Sequence, residues 1–417
     1  MFIIFLINII LLLFFVRKNN KAYTFLVLLT CITFLMQFLV GRSFEYKSLK
    51  TLFNVCFICI NIFLIIKPWS HACISSVDNL SLHFLYHFKK TLYFVLFINL
   101  ILNSIILILV LIYLPDIASF KAESAYLNLY DQIPYFANIF RYAYTTQHTG
   151  YLGIPIFYFY LGTLKRKEAF IAFLFSSSSL LSGFAFYSRA QIFTYTVLFI
   201  IYFFLIKKTL PNFITLKVSR FIKYSSITIA VLFLSITYIR FSAMDYYGDR
   251  IPNKSIVQDP IVYSLFDYAS QSYSNGLYQL DIFTTDKSLG GEQFFRDIYQ
   301  ILNFFGFVHW DAKDSQEVID RAYDYDGGAF NGYTTPLVFN FGYIFSFLIS
   351  FSYFLYTKSL LKKKASISLD VLFLLILLLI IPTVSIFYNG YTLLYFPLLL
   401  FVFSKFTYKL KYILKQS

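Results

Sequence analysis

Two arginines stand where an apolar chain has little reason to keep a charge. Arg189 lies in YSRAQ, a short break between two long apolar stretches, and Arg240 ends the apolar run ITYIR. A guanidinium at a helix end can extend to the lipid headgroups, and for Arg240 that reading stands level with a functional one. A tight turn gives Arg189 less reach. A charge held at the membrane surface there suits the oxygens of a phosphate or diphosphate, which the planar fork binds in pairs. His309 is a third candidate, in HWDAKD beside Trp310 and Asp311. An imidazole, or the carboxylate two residues on, can take the proton of a sugar hydroxyl, although a lone loop histidine is more often an ordinary surface residue. Tyr247, Trp310 and Tyr333 offer flat apolar faces with polar tips on which a sugar ring can rest, and Arg250 adds a cation to the same region.

Other patterns carry less. Asp324-Tyr325-Asp326 matches the paired acids that hold a divalent ion in some sugar-nucleotide transferases. Hard cations want more oxygens than two carboxylates supply, so an acidic turn before Gly327-Gly328 is preferred and no metal is assigned. Cys56 and Cys59 form a C-x-x-C within an apolar run, where neither a redox fold nor a second ligand pair is at hand, and they read as packing residues. No phosphate-binding glycine loop, nucleophile elbow or zinc spacing occurs in the chain.

The elements that must position these residues are membrane helices. With 59% hydrophobic, 22% aromatic and only 13% charged residues among 417, the chain lies far from the composition of a soluble enzyme. Apolar stretches long enough to span a bilayer fall at 2–16, 22–41, 51–66, 91–114, 149–164, 169–187, 191–206, 224–240, 335–357, 371–388 and 391–404. That predicts an all-α bundle of eleven spans, or twelve if a crossing hides in 67–90. The first run has basic residues after it and none before, so it reads as a retained span entering from outside.

If the spans alternate, one side receives 22 of the 35 basic residues and only three of the 21 acids, which makes it cytoplasmic. The division is then 1–240, a bundle of eight spans; 241–334, a large periplasmic loop; and 335–417, three spans with a cytoplasmic tail. The loop holds 14 of the acids and is −8, so the overall +14 is a signature of topology and not of a nucleic-acid surface. Seven of ten arginines fall outside while 19 of 25 lysines fall inside, an asymmetry that topology alone does not require. Within the loop, Asp259-Pro260 starts a helix, 291–305 has helical periodicity, and Asp314 with Glu317 suits a capping box for a third helix. These predict a small helical cap over the outer mouth of the bundle.

This pattern resembles the O-antigen and oligosaccharide repeat-unit polymerases of the Wzy type, related in architecture to the O-antigen ligases. The likeness rests on aromatic-rich spans, one dominant late outer loop, the Ser188-Arg189 turn, the span ending YIR (238–240) and TTPLVFNFGYIFSF (334–347). It implies a GT-C-like or ligase-like helical fold in the bacterial inner membrane, and inverting transfer of a glycan from undecaprenyl diphosphate to the hydroxyl of an incoming lipid-linked repeat unit. Arg189, supported by Arg240, would hold the departing diphosphate; His309, with Asp311 as second choice, would take the proton. No cofactor, metal or nucleotide sugar is implied, membrane lipid and lipid-linked oligosaccharide are the expected partners, and a chain-length regulator protein is a candidate one. The competing class is a lipid-linked oligosaccharide flippase or another polyprenyl-phosphate-dependent glycosyltransferase.

A cysteine placed at Ser274, in the loop, should react with an impermeant maleimide in cells whose outer membrane alone is permeabilised; labelling only after rupture of the inner membrane would invert the topology.

Overall fold

A computed structural model describes residues 2–17, 20–41, 48–72, 74–78, 82–113, 137–186, 188–242, 251–304, 306–323, 331–362, 366–384, 386–387 and 392–413. In chain order the elements are α1 (Phe2–Phe14), α2 (Lys21–Leu39), α3 (Leu49–Ile66), β1 (Ser76–Asp78), α4 (Leu82–Tyr113), α5 (Ala137–Thr146), α6 (Gly153–Gly162), α7 (Arg166–Ser176) and α8 (Ser178–Ala185). There follow α9 (Arg189–Ile206), α10 (Asn212–Ser242), α11 (Pro260–Ile282), α12 (Arg296–Phe304), α13 (Ala312–Tyr323), α14 (Thr334–Leu361), β2 (Ser366–Ser368), α15 (Leu369–Val384) and α16 (Tyr395–Ile413). Short 3-10 turns at Lys67–His71 and Gln147–Leu152 continue α3 and join α5 to α6.

Among the described residues six helical segments are long and apolar enough to cross a membrane: Lys21–Leu39, Leu49–His71, His83–Ile112, Arg166–Ala185, Ala190–Thr209 and Thr334–Leu361. Their apolar side chains also point outward, with Phe94 66% and Ile344 75% exposed, as lipid-facing helices require and water-facing ones avoid. The chain is a helical membrane protein of several spans. Several expected spans differ in form: the one expected at 149–164 is a 3-10 turn followed by the ten-residue α6, and the one expected at 224–240 lies in a helix that begins at Asn212. The one expected at 91–114 begins at Leu82, since His83, His87, Lys89 and Lys90 continue the helix beyond its apolar core; those expected at 169–187 and 335–357 are interrupted, at Ser177 and at Gly342.

The contacts divide the chain into two compact units that interleave in sequence, whereas the division at 240 and 334 concerns position across a bilayer. One unit comprises Met1–Ala72, Tyr246–Lys363 and Ile380–Tyr395. Here the helix starts are set by side chains: Asn20 accepts from the Tyr23 N–H, Ser48 from Thr51, and Asp259 from both Ile261 and Val262, with Pro260 in the first turn. One end of the unit gathers the segments assigned to the cytoplasm. Asn20 Nδ2 donates to the Trp69 carbonyl (2.8 Å), the buried Trp69 indole donates to Tyr353 (3.0 Å), and Arg17, Lys67 and Lys358 are close enough to act on one another electrostatically. The opposite helix ends meet the 241–334 segment: the Ile256 N–H donates to the Leu39 carbonyl (2.9 Å), and Lys50 Nζ donates to the carbonyls of Asp281 and Phe283 (2.7 Å each). Gly41 permits this approach, because its φ is +70° and a Cβ there would sit 2.7 Å from the Lys254 backbone.

The expected cap is only partly a cap. The 23-residue α11, about 35 Å long, packs against α2, α3 and α14. Tyr273 fits between Phe5 and Phe34, with its hydroxyl 3.3 Å from Thr33, and Asp267 is 6% exposed and hydrogen-bonded by Gln271. The Ser/Tyr/Gln-rich α11 has no apolar face wide enough for lipid, and neighbouring helices enclose its polar groups instead. Ser274 is half-buried there, so exposed Thr285 is the better position for the maleimide test.

Gly342 breaks α14, with φ 72° and ψ 174° in mid-helix. Tyr333 and Ser350 would stand about 25 Å apart on a straight helix, yet their hydroxyls are 3.3 Å apart. The segment 334–341 therefore folds back beside 343–350, and its end is held by the Leu289 N–H on the Phe339 carbonyl (2.7 Å) and the Phe294 N–H on Asn340 Oδ1 (3.0 Å).

The other unit comprises Cys73–Asp245, Lys364–Leu379 and Phe396–Ser417. Its core is aromatic, as where Phe88 meets Phe373 edge-on at 4.8 Å and Tyr158 packs on Phe199 at 5.1 Å. β1 and β2 pair in parallel, Ser76 with Ser366 through Asp78 with Ser368. Near this small sheet in sequence, ion pairs join Lys89 to Glu168 (3.1 Å) and Lys405 to Asp370 (2.8 Å), again linking segments assigned to the cytoplasm.

Because the backbone at Gly342 lies in a region essentially reserved for glycine, Gly342→Ala should destabilise the protein by about 1–3 kcal/mol, read as a lower midpoint of thermal unfolding in detergent. A midpoint equal to that of the parent protein would mean that the break relaxes to helix at no cost.

Candidate functional site

The sequence candidates divide between the two units. Arg189 is the first residue of α9 and Arg240 lies two residues from the end of α10; their side chains lie outside what is described. A short connection at 207–211 makes α9 and α10 neighbours in sequence running in opposite directions, so both arginines stand away from the Lys207-Lys208 turn. By helix rise Arg189 is about 26 Å and Arg240 about 42 Å from that turn. Arg240 thus lies further along its helix from the turn than Arg189 does along its own.

Next to Arg189 in the chain is a buried polar network that the apolar periodicity concealed. Gln147 receives hydrogen bonds from Ser182 (2.7 Å, on Oε1) and Ser179 (on its carbonyl). Ser176 donates to the Gly150 carbonyl (2.9 Å) and contacts the Tyr195 hydroxyl (3.0 Å). The Tyr151 hydroxyl donates to Gln191 Oε1 (3.1 Å) and also lies 3.3 Å from His148 Nδ1. Desolvation pushes the His148 imidazole down to about 3, so it is neutral at physiological pH and serves the network as a hydrogen-bonding group and not a cation. The signal in the sequence was the run of four serines at 176–179, which no lipid-facing helix needs.

Arg189 itself opens an eighteen-residue helix in an unusual way. The preceding residue, Ser188, makes no side-chain capping bond, and the first turn contains no acid. The first turn of this helix, where the dipole is positive, thus carries a basic residue in its sequence and no acid.

In the other unit, Trp310 is anchored at both ends of the residue: its indole donates to Glu292 (2.8 Å) and its backbone N–H to Asn303 (3.2 Å). His309 beside it is exposed. Asp311 caps α13 through the Asp314 N–H (3.3 Å), so this helix starts at Ala312, and Asp314, expected to open it, lies inside its first turn. Arg296 ties α12 to α13 through Gln316 (2.9 Å). Tyr333 is no exposed platform for a sugar: it is 4% exposed and hydrogen-bonded to Ser350. Asp281, accepting from Thr51 (2.9 Å) and Asn54 (2.8 Å), is a loop acid committed to packing. Tyr247, Arg250, Asp324 and Asp326 lie outside the described residues. Among the described residues no three of His, Cys, Asp and Glu come together as a metal site, and Cys31, Cys56 and Cys59 are free thiols.

A comparison of the chain with protein-family models, curated proteins and solved structures finds no match.

Asp311 has two possible duties that one pair of substitutions separates. Asp311→Asn keeps a good cap and should leave stability unchanged, whereas Asp311→Ala should cost about 1 kcal/mol. Equal stability of the Ala variant would remove the capping role; a stable Asn variant without activity would make the carboxylate chemical as well.

Proposed function

We propose that this protein is a membrane glycosyltransferase of the repeat-unit polymerase type, joining undecaprenyl-diphosphate-linked oligosaccharides on the outer face of the bacterial inner membrane, with O-antigen or capsule as product. The observation that carries the reading is Arg189 on an uncapped helix N-terminus with no acid in its first turn. That arrangement is unfavourable until an anion binds, and a lipid-linked diphosphate is the anion that belongs at the end of a membrane-length helix. Eleven spans with the 241–334 segment outside fit this reading, and the described contacts that gather the basic segments at one end of each unit support it.

In the proposed reaction the acceptor hydroxyl oxygen attacks the anomeric carbon as the bond from that carbon to the diphosphate breaks, so the configuration inverts. The diphosphate takes the bonding electrons, and the Arg189 fork stabilises the charge that develops there. The hydroxyl proton passes to a base. His309 is preferred, because the Asp311 carboxylate is engaged as the cap of α13. Trp310, anchored by Glu292, is the aromatic face for a sugar ring, and Arg240 contacts the lipid-linked substrate further along. A transporter is the second reading, favoured by the break in α14, since interrupted helices with buried ends are a recurring way for transporters to hold ions.

Gel analysis of surface glycan separates the two. A strain lacking the gene should lose the ladder but keep single repeats, and accumulation of lipid-linked units on the inner face would show a flippase instead. Arg189→Ala should abolish the ladder at normal protein levels, and Arg189→Lys should remain severely impaired, because lysine keeps the charge but not the fork. A full ladder from the Ala variant would remove Arg189 from the site.

A further inference from the structure

The buried N-terminus of α14 has no role in the proposed transfer, and it closes a cavity of 20 Å³ lined by Ile58, Ser272, Tyr273, Asn331, Tyr333 and Thr334 among others. Gly276 of α11 lets this turn come close, for a Cβ there would stand 2.8 Å from the Asn331 carbonyl. Three features describe what the cavity wants. First, among the described residues no side chain caps α14, and no acid lies in its first turn, so the positive end of the dipole has no compensating charge among them. Second, the Thr334 hydroxyl, in a residue 3% exposed, has no hydrogen-bond partner among the described residues. Asn331, 2% exposed, lies against the Tyr323 hydroxyl, yet neither atom of its amide closes a bond of good geometry. Third, among the described residues neither a carboxylate nor a cationic side chain lines the space.

A cation is excluded by the dipole, and a doubly charged phosphate would call for lysine or arginine. Water could bridge the polar groups, since the space holds about one molecule, but it would leave the helix-end charge in place. We infer that this cavity binds one small monovalent anion, a halide or a carboxylate oxygen, held by the Thr334 hydroxyl, the Asn331 amide and the first N–H groups of α14. The site is independent of Arg189 and of the glycosyl-transfer reading.

The test uses the purified full-length protein in detergent, with thermal unfolding followed in sodium chloride, bromide, acetate or gluconate at equal ionic strength. Chloride and bromide should raise the midpoint above that in gluconate, which is too large to enter, by roughly 2–4 °C. Thr334→Val should lose at least half of that rise, and Thr334→Ser, which keeps the hydroxyl, should retain it. A rise with acetate but not with halide, also lost in Thr334→Val, assigns the same site to a carboxylate. Equal midpoints in all four salts, or a full rise in Thr334→Val, would overturn the proposal. Should the Val variant not fold, the Ser variant and bromide anomalous scattering between Asn331 and Thr334 decide, and absence of a bromide peak there counts against the site.

Discussion

A hydrogen-bonding group inside a lipid-surrounded bundle has no water to turn to, so the protein must satisfy it or keep a place for something that will. Most of the interior obeys the first alternative with short local bonds. Thr30 donates to the Leu26 carbonyl (3.0 Å) and Asn61 Nδ2 to that of Phe57 (2.8 Å), each returning a donor to the preceding turn of its own helix. Where a local bond is out of reach, another element supplies it, as with Trp69 between Asn20 and Tyr353. The same rule explains why α11 is enclosed by other helices, since its serines, glutamines and Asp267 could not face acyl chains.

The helices were legible from the sequence because hydropathy reports the lipid directly. Among the described residues six helical segments are long and apolar enough to cross a membrane, and the Asp259-Pro260 start is found as read. The misses share one cause: the reading treated polarity as a sign of exposure. The 241–334 segment is acidic and tyrosine-rich, which suggested a cap standing in water, yet helix partners can satisfy polar groups as well as water does. Tyr333 was read as a sugar platform for the same reason. Gly342 was hidden differently, because one glycine in an apolar run is compatible with an unbroken helix, and only long-range partners such as Tyr333 and Ser350 reveal the reversal.

The candidate site was legible in kind and not in detail. Arg189 is conspicuous because a charge flanked by apolar runs needs a reason. The polar network of Gln147, Tyr151, Ser176 and Gln191 is inconspicuous because its members lie in different runs, and only packing brings them together. Histidine and carboxylate identities in the loop could not be ranked from spacing, whereas the Asp314 N–H on Asp311 gives one of them a structural duty.

The helix N-termini sort themselves by how they are completed. α2, α3, α11 and α13 begin with Asn20, Ser48, Asp259 and Asp311, each accepting a backbone N–H, so their first turns need nothing further. α7 has no side-chain cap, but Lys165 and Arg166 are exposed, and water completes it. α6 and α8 have no side-chain cap either, but each continues a helical turn before it, and α9 and α14 are uncapped as well. Ser188 could cap α9 by its chemistry and does not, and the helix then begins with the cation least suited to that end. α14 begins in a buried turn where the Thr334 hydroxyl has no partner among the described residues. Among the described residues no side chain completes either start, and the two proposals share that ground: a phosphate-like anion where the sequence supplies an arginine, and a weak monovalent one where it supplies neutral donors.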